Sequence, residues 1–387
     1  MTSFQAERQL ILLSAGTDAR RRALREQAER LMVAVDWAQL AETLRMRKLL
    51  PVLGPRIEEL AGESVDSQFA ASVEQALEAG RRQGAFLQLV SLRVTAMLAA
   101  AGIRSAPLKG PLMGEAIYGD PGRRLSGDID LLVAPEQLRD AVEVVRTLGY
   151  EAPTDYVHES GLPLLHFVLV HERGELPPVE LHWRVHWYER SFAHERLLPP
   201  VGHSPDGWRP APADELVALL LFYARDGFID LRLAADLSAW WDACGASLPE
   251  GAVDALLQAY PELARVVAVA VDVAERTVGL PAARIVGSNN ARGLRERVAV
   301  RLANPNPHTS SSQLYADMGL VDGLLAPAGG FGAFVRRQLL PPPEVLDEQA
   351  RHGARRRARS PLARCAGMLT RYGLTMARLI RAPEALP

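Results

Sequence analysis

Apolar residues recur at helical spacing through the N-terminal part of the chain. Over residues 5–60 apolar and charged positions alternate with the period of amphipathic helices, and Asp36 is a predicted N-cap. Residues 66–101 have the pattern of one long helix that stops at Gly102, because glycine commonly follows the last turn of a helix. The sequence therefore predicts a helical region over residues 1–101.

The spacing of apolar residues changes from helical to strand-like in the middle of the chain and returns to helical after it. Alternating positions are typical of half-buried strands, and Pro111 suits the first turn of a helix because its missing N–H would be unpaired there anyway. The predicted elements are a strand over 103–108, a helix over 112–118, a strand over 128–133, a helix from Pro135 to Gly149, a hairpin of 166–171 and 179–184, and helices over 214–226, 230–243 and 250–278. This order predicts an α+β fold, in which a small mixed β-sheet is embedded between helical N- and C-terminal regions.

Composition and charge narrow the class of protein. The 387 residues carry a formal net charge of −2, so the composition does not indicate a nucleic-acid partner. Cys244 and Cys365 are too far apart in sequence to suggest a disulfide framework or a metal site, which fits a reducing cytosol. The N-terminus lacks the pattern of a signal peptide, and no uncharged apolar run reaches membrane-spanning length. We expect a cytoplasmic protein without a membrane partner, and the sequence predicts no particular oligomeric state.

Two carboxylates stand at the start of the strand predicted over 128–133. Asp128 and Asp130 flank Ile129, so on a strand their side chains share one face. Carboxylates this close repel each other unless a cation lies between them, and Mg²⁺ takes such oxygen ligands together with substrate phosphates. An Asp-x-Asp turn on the surface is the alternative, but such a turn is not ordinarily followed by three aliphatic residues. The pattern predicts a metal site for phosphoryl or nucleotidyl transfer.

Residues 108–133 also resemble a known family. Their pattern is similar to that of the polymerase-beta-like nucleotidyltransferase superfamily, in particular its poorly characterised bacterial members, and the resemblance extends over residues 30–240. Two positions depart from it: Lys109-Gly110-Pro111 replaces the more usual Gly-Gly or Gly-Ser turn, and Asp226 stands where relatives often have His. The matching positions are Lys109-Gly110, Tyr118, Asp120-Pro121, Arg124, Asp128, Asp130 and Leu132-Val133.

The resemblance implies a third carboxylate on a later strand. Glu180, within residues 179–183, matches the acid of the family's pattern there. Asp128, Asp130 and Glu180 are thus the expected catalytic and metal-binding residues. A solvated position on a half-exposed hairpin is the alternative for Glu180, although strand alternation gives it the same face as His182.

Further roles follow for residues around the carboxylates. Lys109, Gly110 and Arg124 are the expected contacts to the nucleotide phosphates, because glycine permits close backbone approach and guanidinium matches phosphate oxygens. His182 is interpreted as a supporting or core histidine, with catalysis as the alternative. Asp236 lies in an amphipathic helix, where acids are usually solvated, and an acceptor-side role is the alternative that the resemblance implies.

The function implied by the resemblance is metal-dependent nucleotidyl transfer. An NMP unit would move from an NTP, with ATP the expected donor, to a hydroxyl or phosphate acceptor on a small molecule, peptide, protein or RNA, with release of pyrophosphate. Mg²⁺ is the expected cofactor and Mn²⁺ the alternative. A non-catalytic nucleotide-binding adaptor and a phosphotransferase acting in peptide tailoring remain open, and the sequence does not identify the acceptor.

Four regions are expected on this interpretation. The nucleotidyltransferase core is the part that holds all the predicted strands. The regions are a helical N-terminal region over 1–101, the catalytic core over 102–190, a helical acceptor-side domain over 191–285, and a C-terminal extension over 286–387 with an arginine-rich segment.

Overall fold

Six helices form the N-terminal part of the protein. The computed structural model describes residues 2–151, 165–200, 208–287, 293–303 and 320–327, with isolated positions beyond 327, so most of the predicted C-terminal extension lies outside the described residues. Asp36 caps the fourth helix as predicted, its Oδ1 accepting from the Gln39 backbone N–H at 3.0 Å. The helices are α1 (Ser3–Ser14), α2 (Asp18–Ala23), α3 (Arg25–Met32), α4 (Trp37–Met46), α5 (Leu50–Ala61) and α6 (Ser67–Ala100).

The long helix α6 runs beside both the helical region and the sheet. It packs against α5, against the first strand and against the two helices of the sheet region. Among the described helices, α6 is the one whose length and composition would allow it to cross a membrane. A helix that packs on several neighbours in a protein core passes the same test, so this property is weak evidence for a span.

Four short strands form one mixed sheet. The strands are β1 (Ser105–Pro107), β2 (Ile129–Val133), β3 (His166–Leu169) and β4 (Val179–His182), in the spatial order β1-β2-β4-β3. β2 pairs antiparallel with β1 and parallel with β4, and β3 and β4 form the predicted antiparallel hairpin. Two helices belong to this region: α7 (Pro111–Tyr118) between β1 and β2, and α8 (Leu138–Arg146) after β2. The small mixed sheet flanked by helices confirms the predicted α+β fold.

Helices return after the sheet. The segment predicted as one helical stretch over 250–278 is divided, because the residue before a proline is disfavoured in helical geometry and Pro261 interrupts the pattern. The described helices are α9 (Pro212–Arg225), α10 (Leu231–Cys244), α11 (Ala252–Ala259), α12 (Ala264–Val278), α13 (Ala282–Ile285) and α14 (Leu294–Leu302).

The two faces of the sheet contribute to different hydrophobic clusters. Ile129, Leu131 and Val133 of β2 join a cluster with residues of α6 and α8. Leu132, on the opposite face, joins a larger cluster that includes the N-terminal helices and α9 to α12. The polar residues of β2 and β4 therefore lie on the side of the sheet that faces α9. The predicted domain boundaries stay a prediction.

The loop before β2 is fastened to α6 by a close backbone contact. A Cβ atom on Gly80 would collide with the Gly122 carbonyl oxygen, so only glycine allows this approach. Arg81 binds Asp120 with its Nη2 2.5 Å from Oδ2, and Asp120 Oδ1 accepts from the Gly122 N–H at 2.8 Å. These contacts hold the loop that leads into the strand carrying Asp130.

Candidate active site

Asp130 and Glu180 stand side by side on parallel strands. They are register partners in β2 and β4, so both side chains leave the same face of the sheet. The Asp130 side chain is only 2% exposed, and Glu180 is partly buried. Asp128 directly precedes β2, has the strand parity of Asp130, and accepts a hydrogen bond from Ser126 Oγ through Oδ1 at 2.8 Å. No contact between Asp128 and Glu180 is seen among the described residues.

His182 joins the two carboxylates. Its Nε2 lies 2.9 Å from Asp130 Oδ1 and 3.1 Å from Glu180 Oε2, so an Nε2–H tautomer donates toward both. His166 is the register partner of His182 on β3, and its Nε2 lies 3.6 Å from Glu180 Oε2. Ligand atoms of His166, Glu180 and His182 lie within 4.8 Å of one another. The sheet thus gathers two imidazoles and two carboxylates at one point.

Lys109 approaches the same carboxylate from the end of β1. Its Nζ lies 3.1 Å from Asp130 Oδ1, and the preceding Leu108 N–H donates to the Asp130 carbonyl at 3.1 Å. Gly110 then turns the chain into α7 with φ 101° and ψ −159°, a conformation essentially restricted to glycine. The turn places the Lys109 ammonium beside Asp130, and α7 begins directly after it at Pro111.

The electrostatic environment keeps the carboxylates ionised. Burial alone would raise the pKa of Asp130, but Lys109 and the hydrogen bond from His182 hold it well below its usual range. Burial also opposes ionisation of Glu180, and His182 and His166 outweigh it and lower its pKa. Burial and the nearby His182 lower the pKa of His166 to about 4, so its imidazole is neutral at pH 7. Anionic oxygens and a neutral ring nitrogen are the groups that bind divalent cations.

Arg124, which the sequence predicts as a phosphate contact, is paired with a carboxylate in the structure. Its Nε binds Asp236 Oδ2 at 2.9 Å, and both side chains are buried. Tyr118 donates to the other oxygen of Asp236 at 2.8 Å. Burial alone would lower the pKa of Arg124, but Asp236 and the hydrogen bond to it raise it, and Asp130 adds to the effect. The residue expected to contact phosphate, Arg124, is therefore paired with Asp236, for which an acceptor-side role was the alternative.

Three residues near the carboxylates were not among the predicted site residues. His166 is one, and its position in the hairpin opposite His182 was the signal that could have found it. Phe222 of α9 is the second: Lys109 Nζ lies 4.8 Å and Arg225 Cζ 5.0 Å from its ring centre. Arg225 is the third, with a buried Nη1 that has no hydrogen-bond partner and a long 3.5 Å contact from Nε to Asp226. Nothing in a local pattern connects α9 with the sheet, so no signal pointed to Phe222 or Arg225.

The donor set fits a divalent cation. Carboxylates at Asp130 and Glu180 suit Mg²⁺ or Mn²⁺, and the neutral imidazole of His166 adds a nitrogen ligand that Mn²⁺ accepts more readily than Mg²⁺. His182 would have to give up its Nε2 proton to become a ligand as well. Asp128 has the strand parity to contribute a further carboxylate. These residues can neutralise phosphate charge through a bound cation, and Lys109 adds a fixed positive charge of its own.

A family model described as an uncharacterised nucleotidyltransferase matches residues 34–279. No curated protein and no solved structure matches the chain. The matched range contains all the residues of the site, from Lys109 in the turn after β1 to Arg225 at the end of α9, and it covers more than half of the 387 residues. The chain therefore belongs to this family of uncharacterised nucleotidyltransferases.

Proposed function

We propose that the protein transfers an NMP unit from an NTP, with ATP as the expected donor, to a hydroxyl or phosphate acceptor and releases pyrophosphate. The observation that carries the proposal is the pairing of Asp130 with Glu180 on parallel strands, with Lys109 and His182 both on the Asp130 carboxylate. Family membership supports nucleotidyl transfer in general.

Asp128, Asp130 and Glu180 are the proposed metal ligands, with His166 and His182 beside them. When bound, Mg²⁺ or Mn²⁺ would neutralise charge on the phosphates and make the acceptor oxygen easier to deprotonate. Glu180 is ionised, so it can take the proton of an acceptor hydroxyl. The acceptor oxygen then forms a bond to the α-phosphorus, and the bond from that phosphorus to pyrophosphate breaks.

Lys109 and Gly110 are the proposed phosphate contacts. The Lys109 ammonium lies at the carboxylate cluster, and the first backbone N–H groups of α7 come after Pro111, which has none of its own. Arg225 is a further cation at this place, since its guanidinium packs on the same Phe222 ring as Lys109. We assign Arg124 mainly to holding the loop before β2, because its ion pair with Asp236 explains its buried position. A direct phosphate contact would require Arg124 to share its guanidinium with Asp236.

The test uses the purified full-length chain with Mg²⁺ or Mn²⁺ and NTPs labelled at either the α- or the γ-phosphate. We expect NTP binding by calorimetry, and transfer of the α-label with pyrophosphate release when a cell lysate supplies acceptors. Asp130→Asn should slow transfer by roughly a hundredfold or more, because transition-state charge loses its stabilisation. Asp140→Asn, the same change at an exposed position of α8, is the control.

The outcomes separate the alternatives. Transfer of the γ-label instead would identify a phosphotransferase. Metal-dependent NTP binding without transfer of either label and without pyrophosphate release would favour a nucleotide-binding adaptor.

A further inference from the structure

A cavity of about 340 Å³ lies between α7 and α9, next to the end of β1. Its volume is in the range of small-molecule sites, which is roughly 300–1,000 Å³. Leu112, Met113 and Ala116 line it from α7, and Ala218 and Leu219 from α9. The cavity is therefore built from the two helices that flank the carboxylate cluster.

The cavity reaches the candidate active site. Lys109 and Phe222 belong to its lining, and Lys109 Nζ is the atom that contacts Asp130 Oδ1 at 3.1 Å. Phe222 packs against the same ammonium, with 4.8 Å between Nζ and the ring centre. A molecule held in the cavity would thus have one end beside the groups proposed to bind the metal and the nucleotide phosphates.

The described lining is apolar apart from Lys109 and one internally paired set of charges. Arg209 and Glu215 form an ion pair with 2.8 Å between Nη2 and Oε2, and Glu215 also accepts from Trp240 Nε1 at 2.8 Å. A nucleobase has several polar edge atoms, and burying them without partners costs free energy. An aliphatic or uncharged aromatic group has no such edge, so it suits this lining better than a base does.

Apolar surface continues from the cavity toward solvent. Leu92 of α6 and Leu112 of α7 line the cavity and are nevertheless exposed. Phe86 and Leu89 precede Leu92 at steps of three residues, so the three share a face of α6, and Leu89 is 68% exposed. Single exposed apolar residues are common in soluble proteins, but a row that leads into a cavity indicates a binding surface.

We propose that this cavity is the acceptor subsite and that the acceptor is an amphipathic small molecule, a hydroxyl group on an aliphatic or uncharged aromatic body. This inference rests on the proposed nucleotidyl transfer and names its substrate class. The apolar body lies in the cavity while the hydroxyl reaches the carboxylates. The hydroxyl gives its proton to Glu180, its oxygen bonds to the α-phosphorus of the NTP, and pyrophosphate leaves with the electrons of the broken P–O bond.

Straight-chain primary alcohols of four to ten carbons are the probes. Their binding to the full-length chain is measured by displacement of a fluorescent apolar dye and by calorimetry. Because each buried CH₂ contributes about 0.8 kcal/mol, affinity should rise roughly fourfold per added carbon until the cavity is full. With the α-labelled NTP present, the longer alcohols should also increase pyrophosphate release and yield an alkyl–NMP ester detectable by mass spectrometry.

Ala116→Trp places a large side chain into the cavity from an exposed position of α7. It should weaken octanol binding at least tenfold while changing metal-dependent NTP binding less than twofold. Ala71→Trp, the same change at an exposed position of α6 away from the cavity, should alter neither.

Three results would overturn the assignment. Alcohol binding that does not depend on chain length, or octanol binding that survives Ala116→Trp, would show that the cavity does not hold the apolar body. Loss of NTP binding in Ala116→Trp would assign the cavity to the base. Failure of nucleotidyl transfer itself is distinguishable, because it would remove pyrophosphate release and leave chain-length-dependent alcohol binding intact.

Discussion

At the scale of single residues, Arg124 and Asp236 form an ion pair in the protein interior. Both side chains are almost completely buried, and Tyr118 donates to the second oxygen of Asp236. A buried charge that loses its partner keeps the cost of desolvation without compensation. The pair joins the loop before β2 to α10.

Arg124→Ala should lower the free energy of unfolding by about 3–5 kcal/mol, because it leaves Asp236 buried and unpaired. Urea denaturation followed by circular dichroism measures the change. Arg82→Ala removes an exposed i,i+4 pair with Glu78 and should cost less than about 1 kcal/mol. A small loss of stability for Arg124→Ala combined with a large loss of NTP affinity would instead assign Arg124 to the nucleotide.

His186 links the stability of the molecule to pH. It is completely buried, and burial together with the charge of Arg225 lowers its pKa to about 3. In the unfolded chain a histidine has a pKa near 6.5, so between pH 6.5 and 3 the unfolded state binds a proton that the folded state does not. Above pH 6.5 His186 is neutral in both states, so its burial carries no protonation cost. As the pH falls from 6.5 toward 3, protonation of the unfolded state lowers the free energy of unfolding.

His186→Gln should flatten the dependence of stability on pH. The wild-type free energy of unfolding should fall by up to about 1.4 kcal/mol more per pH unit than that of the variant between pH 6 and 4. Urea midpoints across that range, at constant ionic strength, measure the slopes. Parallel curves for the two proteins would contradict a neutral buried His186.

At the scale of elements, the turn from β1 into α7 places Lys109. Gly110 makes this turn with a positive φ that side chains other than glycine rarely adopt. Local chemistry predicted this element well, since Pro111 marks the start of α7 and alternation marks the strands on either side. The break between α11 and α12 was missed because an apolar helical period continues through Pro261.

Gly110→Ala should lower stability by about 1–3 kcal/mol and weaken NTP binding, because relief of the strained φ would move Lys109 away from Asp130. Gly127→Ala is the matched control: this glycine is exposed, lacks a positive φ and has no atom within 4 Å of an added Cβ. Thermal unfolding and nucleotide titration measure the two effects. Equal stability and equal NTP affinity of the two variants would show that neither property depends on the Gly110 conformation.

At the scale of the whole molecule, one hydrophobic cluster connects regions that the sequence analysis treated as separate. It includes residues of α1 and of α3 to α6, Leu132 of the sheet and the helices from α9 onward. The site lies where this cluster meets the polar face of β2 and β4. The sheet positions the carboxylates, and the packed helices supply Phe222, Arg225 and the adjoining cavity.

The sequence by itself determined the helix and strand pattern, the α+β class, and which residues share a face within each strand, namely Asp128 with Asp130 and Glu180 with His182. These are consequences of local periodicity, which depends on a few neighbouring residues. Only the tertiary structure decided that Arg124 pairs with Asp236 and that α9 covers the site. Such contacts join residues about a hundred positions apart in the chain, and they depend on how buried faces and charges complement each other in three dimensions, which no local period encodes.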